Sequence, residues 1–261
     1  SGIAELCHPD FVVVGEASGN AVMRGQRGRA EILLETKGQS VHCAFPHEGI
    51  NALNAACLGI MGINALRETF KEDDMVRVHP IITKGGDLVN NVPSDVRMEL
   101  YVRAKTMEAI DCQHHRVDEA LKAGGAAVGA KTVIETLPGM FPLACSPRLN
   151  DLFVENIKEY FPETKIEDAG HFTASTDMGD ISHLMPSIHP FIGGVDGGLH
   201  TKDFCVTDFD AAAIFPGKVF AMNIIDLLYD EAAMAKEILE KEKPILTKEE
   251  YLAKLESYFQ S

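Results

Sequence analysis

The sequence has no tryptophan, no Cys-x-x-C pair and little positive charge. Six cysteines (Cys7, Cys43, Cys57, Cys112, Cys145 and Cys205) are scattered along the chain. Without close spacing they make neither a zinc-knuckle pattern nor a disulfide framework, and they read as reduced, mostly buried thiols. Only 24 Lys and Arg stand against 39 Asp and Glu, a net charge of −15. Such a chain has no basic surface with which to neutralise phosphates, so nucleic acid and anionic membrane are not expected partners. The longest apolar run, residues 55–66, contains glycines and Asn64 and is too short to span a bilayer. No signal peptide opens the chain, and a cytoplasmic location is the expectation. The first residues are Ser-Gly rather than Met and lead almost at once into a strand, so the N-terminus is expected to be processed or truncated. A G-x-S-x-G elbow, a phosphate-binding loop and a dinucleotide fingerprint are also missing.

What is present is an ordinary globular composition, 46% hydrophobic and 24% charged over 261 residues. That length holds two modest domains, or one domain carrying an insertion. Residues 11–14 form a short β-branched run that reads as a buried strand ending at Gly15-Glu16-Ala17-Ser18-Gly19. A block with its own rhythm follows. Residues 30–36, 75–83, 96–102 and 131–137 read as strands, and residues 49–70 and 107–127 as helices. The order is β-α-β-β-α-β, a four-stranded sheet with both helices on one face. After Pro138-Gly139 come a helix near 149–160, a glycine-rich turn at 193–198, and closing helices near 208–229 and 248–259. The charged stretch 236–243 is expected to separate the last two. The fold class is therefore α/β, with residues 28–138 a ferredoxin-like insertion into a domain built from 1–27 and 139–261.

Few residues declare chemistry on their own. Glu16 sits where a strand ends in a glycine-rich loop, a place where a carboxylate can hold a ligand or metal. His200 follows two glycines and can project from a tight turn. The ten histidines show no H-x-x-x-H spacing, so spacing alone yields no zinc motif. Ser175-Thr176-Asp177 fits a helix N-terminus as well as a site. His42 and Cys43 are adjacent, and in a strand adjacent side chains point to opposite faces, which disfavours a Cys-His pair.

Taken in order, several segments resemble the dimetal amidohydrolases of peptidase family twenty, the deacetylases, desuccinylases, aminoacylases and aminobenzoyl-glutamate hydrolases. VVVGEASG is similar to the family's G-E-P-T/S segment, whose glutamate binds one zinc, here Glu16, with His8-Pro9 as the rival. GQSVHCAFPHEGINAL is similar to the segment opening the inserted dimerisation domain. Its histidine, here His42, reaches the partner's active site and supports the oxyanion. VNNVP implies a substrate-facing Asn90, with Asn91 standing where valine is usual. YVRA implies that Arg103 binds a substrate carboxylate. ASTDMGD resembles the G-[GS]-T-D segment and places Thr176 and Asp177 at the substrate. GGLHTKDF makes His200 the ligand of the second zinc.

The resemblance implies a homodimer acting on a small amide or peptide with two zinc ions, cobalt or manganese being alternatives. In family order, an H-x-D metal motif and a Glu-Glu pair precede the G-E-P-T segment. They carry the bridging aspartate, a further ligand and the general base, and the resemblance supplies neither here. A second expectation follows, of a non-catalytic chain that dimerises through its insertion.

Overall fold

The computed structural model describes residues 10–17 and 21–259, and for 16 and 17 the backbone alone. The chain divides into two compact units. One comprises residues up to Gln26 and Leu143–Tyr251, the other Arg27–Pro142 and the residues from Leu252 onward.

The second unit has the β-α-β-β-α-β order expected from the pattern. Its elements are β1 (Gly28–Lys37), α1 (Ala52–Leu66), β2 (Arg77–Lys84), β3 (Asp95–Ala104), α2 (Met107–Ala127) and β4 (Lys131–Met140). All pairs are antiparallel, in the order β2-β3-β1-β4. Strict alternation of buried and half-buried residues along β1 shows why the register is single-valued. A slip of one residue would turn Ile32 and Leu34 out of the core. The sheet buries Ile32, Leu34, Val96, Met98, Leu100 and Val102 against Ile63 of α1 and Val117 and Leu121 of α2. Each such side chain contributes about 1.5–3 kcal/mol by leaving water.

The helices meet on glycine. A Cβ on Gly124 would lie 2.4 Å from the Gly59 nitrogen and 2.6 Å from the Ala55 carbonyl oxygen, so only glycine permits this crossing. Asn51 starts α1 by accepting from the Leu53 and Asn54 N–H groups, and Thr106 starts α2 through Ala109 N–H. The edge strands are β2 and β4. Residues 41–43 lie outside the sheet, in a loop bridged to Asn91.

The first unit contains short strands, several of them parallel. Val12–Val13 pairs with Ser187–Ile188, and Glu16–Ala17 with Phe191–Ile192. The expected buried strand at 11–14 is thus two residues long and only half-buried. Helices α3 (Pro147–Tyr160) and α5 (Phe215–Lys241) close one core, with Leu149, Phe153, Ile157, Val219, Leu227 and Ile238 buried together. Between these helices in sequence lies α4 (Met178–Leu184).

Two expectations are corrected here. The charged stretch 236–243 does not separate helices, because α5 runs through it to Lys241. Ala235 and Ile238 are buried in the core, and Lys241 pairs with Glu237 one turn back at 2.5 Å. The break falls earlier, where Tyr229–Ala232 leave helical geometry and Asp230, Glu231 and Ala232 take positive φ. A last helix, α6 (Lys248–Tyr258), begins in the first unit and ends in the second. The expectation of mostly buried cysteines is also corrected, Cys7 lying outside the described residues. Among the described residues Cys43, Cys57, Cys112 and Cys205 are exposed free thiols. Cys145 is half-exposed and free, and burial pushes its thiol up to about 11.

Among the described residues, one helix, Asp210–Lys241, is long and apolar enough to cross a membrane by length and composition alone. Non-helical residues at Tyr229–Ala232 interrupt it, and Ile224, Ile225 and Leu228 are exposed while Val219 and Leu227 are buried in the core.

Candidate active-site residues

In the first unit the backbone carries Glu16 and His200 on one run of structure. Glu16 pairs with Phe191, and the strand of Phe191–Ile192 is followed by the hairpin Val195–Asp196/Cys205–Val206. His200 stands on the connection between those hairpin strands, exposed, at φ 61°. A left-handed conformation is uncommon for a residue with a Cβ, and here tight turns enforce it. Thr201 N–H donates to the Gly198 carbonyl at 3.1 Å, and Phe204 N–H to the Thr201 carbonyl at 3.2 Å. Gly197, at φ 87°, permits the closure, since a Cβ there would meet the Asp203 carbonyl oxygen at 2.4 Å. The chain thus brings Glu16 onto the strand that feeds the His200 hairpin. The Glu16 side chain, like His8 and Pro9, lies outside the described residues.

Thr176 and Asp177 precede α4. The Thr176 hydroxyl donates to the Asp177 carboxylate and accepts from Met178 N–H, both at 3.3 Å. Asp177 makes no capping bond and is exposed. This segment is a helix start, with Thr176 rather than Asp177 meeting the free N–H.

In the second unit the structure brings two expected residues together. His42 bridges Asn91, Cys43 N–H donates to the Asn90 carbonyl at 2.8 Å, and Val92 N–H donates to the Val41 carbonyl at 2.8 Å. Asn91, where the sequence departs from the family pattern, is the residue that bridges. His42 and Asn90 are both exposed. The Ala44 N–H donates to His42 Nδ1 at 3.1 Å, which requires a lone pair on that nitrogen. When neutral, the ring therefore carries its proton on Nε2 and offers a donor away from its own backbone. That is what stabilising a developing oxyanion needs.

Arg103 lies at the other end of the sheet. It is opposite Arg29 on β1 and Arg77 on β2, in register on both sides. The Tyr101 ring carries the Arg29 guanidinium at 4.5 Å from its centre and that of Arg103 at 5.5 Å. Burial, and then the Arg29 and Arg77 charges, hold the Arg103 pKa below its ordinary value. Arg27 is lowered likewise, by burial and then by Arg77 and Arg103. Arg29 reaches Glu31 at 3.1 Å. Sequence reasoning missed Arg27, Arg29 and Arg77. Tyr101 and Arg103 share a face of β3, a period-two signal, whereas Arg27 lies just before β1 and Arg77 carries no such spacing. From Arg29 to Lys37 is eight residues, so Arg103 and the His42 loop are separated by about 26 Å along β1.

Residues 24–128 match the peptidase dimerisation domain. The chain is related to the amidohydrolases of peptidase family twenty. It is 30% identical over 213 residues to an Xaa-Arg dipeptidase of Mus musculus, covering 78% of this chain and 49% of that protein. It is 26% identical to an N-acetyldiaminopimelate deacetylase of Leuconostoc mesenteroides, covering 73% and 49% of the two chains. In fold it is similar to a tripeptidase from Staphylococcus aureus, with a TM-score of 0.63 at 18% identity, covering 88% of this chain and 59% of that one. The chain spans about half the length of the curated relatives it matches.

The family's metallopeptidases use divalent metal. A dimetal pair takes a bridging carboxylate and about three protein ligands per ion. Glu16 and His200 are of the right chemical type, one carboxylate and one imidazole, but as a donor set they fall short of that number.

Proposed function

We propose that the protein to which these residues belong is a metal-dependent hydrolase of amide bonds in dipeptides or N-acyl amino acids. The observation that carries this reading is the pairing of the His42 and Asn90 segments within a peptidase dimerisation unit. Relatives that cleave dipeptides or deacetylate amino acids support the same reaction class. Zinc is the proposed ion, with cobalt or manganese as substitutes, held in part by Glu16 and His200. Bound metal supplies polarisation of the amide carbonyl and an activated water.

This chain's own residues supply the oxyanion and substrate contacts. The His42 Nε2–H and the Asn90 amide donate to the oxygen that gains charge as the carbonyl becomes tetrahedral. Arg103 grips the substrate carboxylate, with Thr176 and Asp177 as further substrate contacts. The Arg27, Arg29 and Arg77 charges around Arg103 favour an anionic or neutral group there over a cationic one.

The separation of His42 from Arg103 along the sheet favours a homodimer. One small substrate does not extend about 26 Å, so the two ends of one unit serve different active sites. His42 then acts in the partner's site. The location proposed is cytoplasmic.

The match of residues 24–128 to the peptidase dimerisation domain favours a second reading, a non-catalytic subunit that dimerises through that unit. Assay of the purified chain with zinc, manganese or cobalt against N-acyl amino acids and dipeptides separates the two. Turnover lost in His200→Ala supports the hydrolase with its machinery in this chain. Folded dimers without turnover in a longer form that also carries the H-x-D and Glu-Glu segments support the second.

A further inference from the structure

We propose that His114, His115 and Asp118 of α2 form a binding site for one zinc-type divalent cation. None of the three carries the family resemblance, and none is used in the reaction above. One ligand atom from each lies within 4.8 Å of those of the others. His114 and Asp118 are one helical turn apart and share a face, while His115 flanks them, its ring 3.9 Å from that of His114.

Two buried atoms in this cluster are orphaned. His114 is 2% exposed and Asp118 8%. The His114 Nδ1 and the Asp118 Oδ1 have no hydrogen-bond partner. The nearest approach between the pair, His114 Nδ1 to Asp118 Oδ2, is 3.7 Å, too long for a hydrogen bond. An orphaned buried polar atom is costly, more so if charged, and two of them one helical turn apart need a reason. A cation supplies one. Ligands at about 2.0–2.2 Å from one ion stand roughly 3–4 Å from each other, and the 3.7 Å gap falls in that range.

The surroundings are those of a metal site. Thr136 of β4 donates its hydroxyl to Asp118 Oδ2 at 3.3 Å, orienting the carboxylate from behind. The Tyr258 ring lies 5.6 Å from that of His114 and closes one side. His115 is exposed and gives the ion a path in from solvent, with water free to take the fourth position. Two imidazoles and a single carboxylate select zinc, or cobalt in its place, over calcium and magnesium, which want a cage of oxygens.

The test is titration of the tag-free chain with zinc by calorimetry and with cobalt by visible absorption. His115→Ala is the main variant, because an exposed side chain can be removed without disturbing the core. Asp118→Asn and His200→Ala are run beside it, each checked for folding by circular dichroism. The proposal expects one equivalent of zinc whose affinity falls roughly tenfold or more in His115→Ala and Asp118→Asn. That equivalent persists in His200→Ala, and zinc raises the melting midpoint of wild type but not of His115→Ala. Titrations of His115→Ala that overlay wild type, or a wild-type chain that takes up no zinc, would overturn it.

Discussion

Arg29 and Arg103 stand directly opposite each other in the register of the two central strands, with Arg77 opposite Arg103 on the far side. Like charges so placed destabilise a sheet by a few tenths to about 1 kcal/mol per pair. Stacking on Tyr101 and the Arg29–Glu31 pair offset part of that cost. A substrate carboxylate would offset more. In a preparation with amidase activity, Arg103→Ala should raise KM about ten- to a hundredfold for substrates with a free carboxylate, with a smaller change in kcat. The same variant should not discriminate between free acids and their amides. Unchanged discrimination would remove Arg103 from the site.

Gly124→Ala should cost the second unit at least about 1–3 kcal/mol, because a methyl group there meets backbone rather than a mobile side chain. Thermal or urea unfolding measures it. Gly129→Ala makes a useful contrast. A Cβ there has open space, but φ is 75°, so its loss reports backbone strain alone.

The insertion was legible because its two central strands alternate strictly and α2 is amphipathic, so local pattern and burial agree there. The first unit was legible only in outline. Its strands are two residues long, such as Val12–Val13, and no period can be read from two residues. The contact of the His42 and Asn90 segments was beyond periodicity, since it joins loops nearly fifty residues apart through two backbone bonds, Cys43 N–H to Asn90 and Val92 N–H to Val41. The resemblance named both residues, and the fold joined them. The helix of 236–241 was misread because its charged surface hides Ala235 and Ile238, which face the core one turn apart.

Asp95 gives the second unit an acid-sensitive element. Lys37 at 2.6 Å and then Lys84 at 2.9 Å hold its carboxyl far below the ordinary 3.8. A depressed folded pKa stabilises above the unfolded value, and that stabilisation is lost as pH falls through the folded value. Both lysines are partly solvated, so the effect is screened and should shrink in high salt. Asp95→Asn should lower the melting midpoint at pH 7 and flatten its dependence on pH below about 4. Equal slopes for variant and wild type would show that the lysines contribute nothing.

The last prediction concerns which active site His42 serves. If it acts across a dimer, a site needs His200 from one chain and His42 from the other. His42→Ala homodimers then lack the donor at both sites, and His200→Ala homodimers lack the ligand at both. Unfolding the two inactive variants together and refolding them yields heterodimers. In each heterodimer, the site built on the His42→Ala chain has its own His200 and receives an intact His42 from its partner. The other site lacks both. Random pairing makes half the dimers mixed, with one working site each, so activity should return to roughly a quarter of wild type. If His42 instead serves its own chain's site, each heterodimer has one site without the donor and one without the ligand, and the mixture stays as inactive as its parts. The measurement is hydrolysis of an N-acyl amino acid by the mixed sample, run in a form of the protein with wild-type turnover. The loss in His42→Ala itself should be about a hundred- to a thousandfold in kcat, the size of one oxyanion donor.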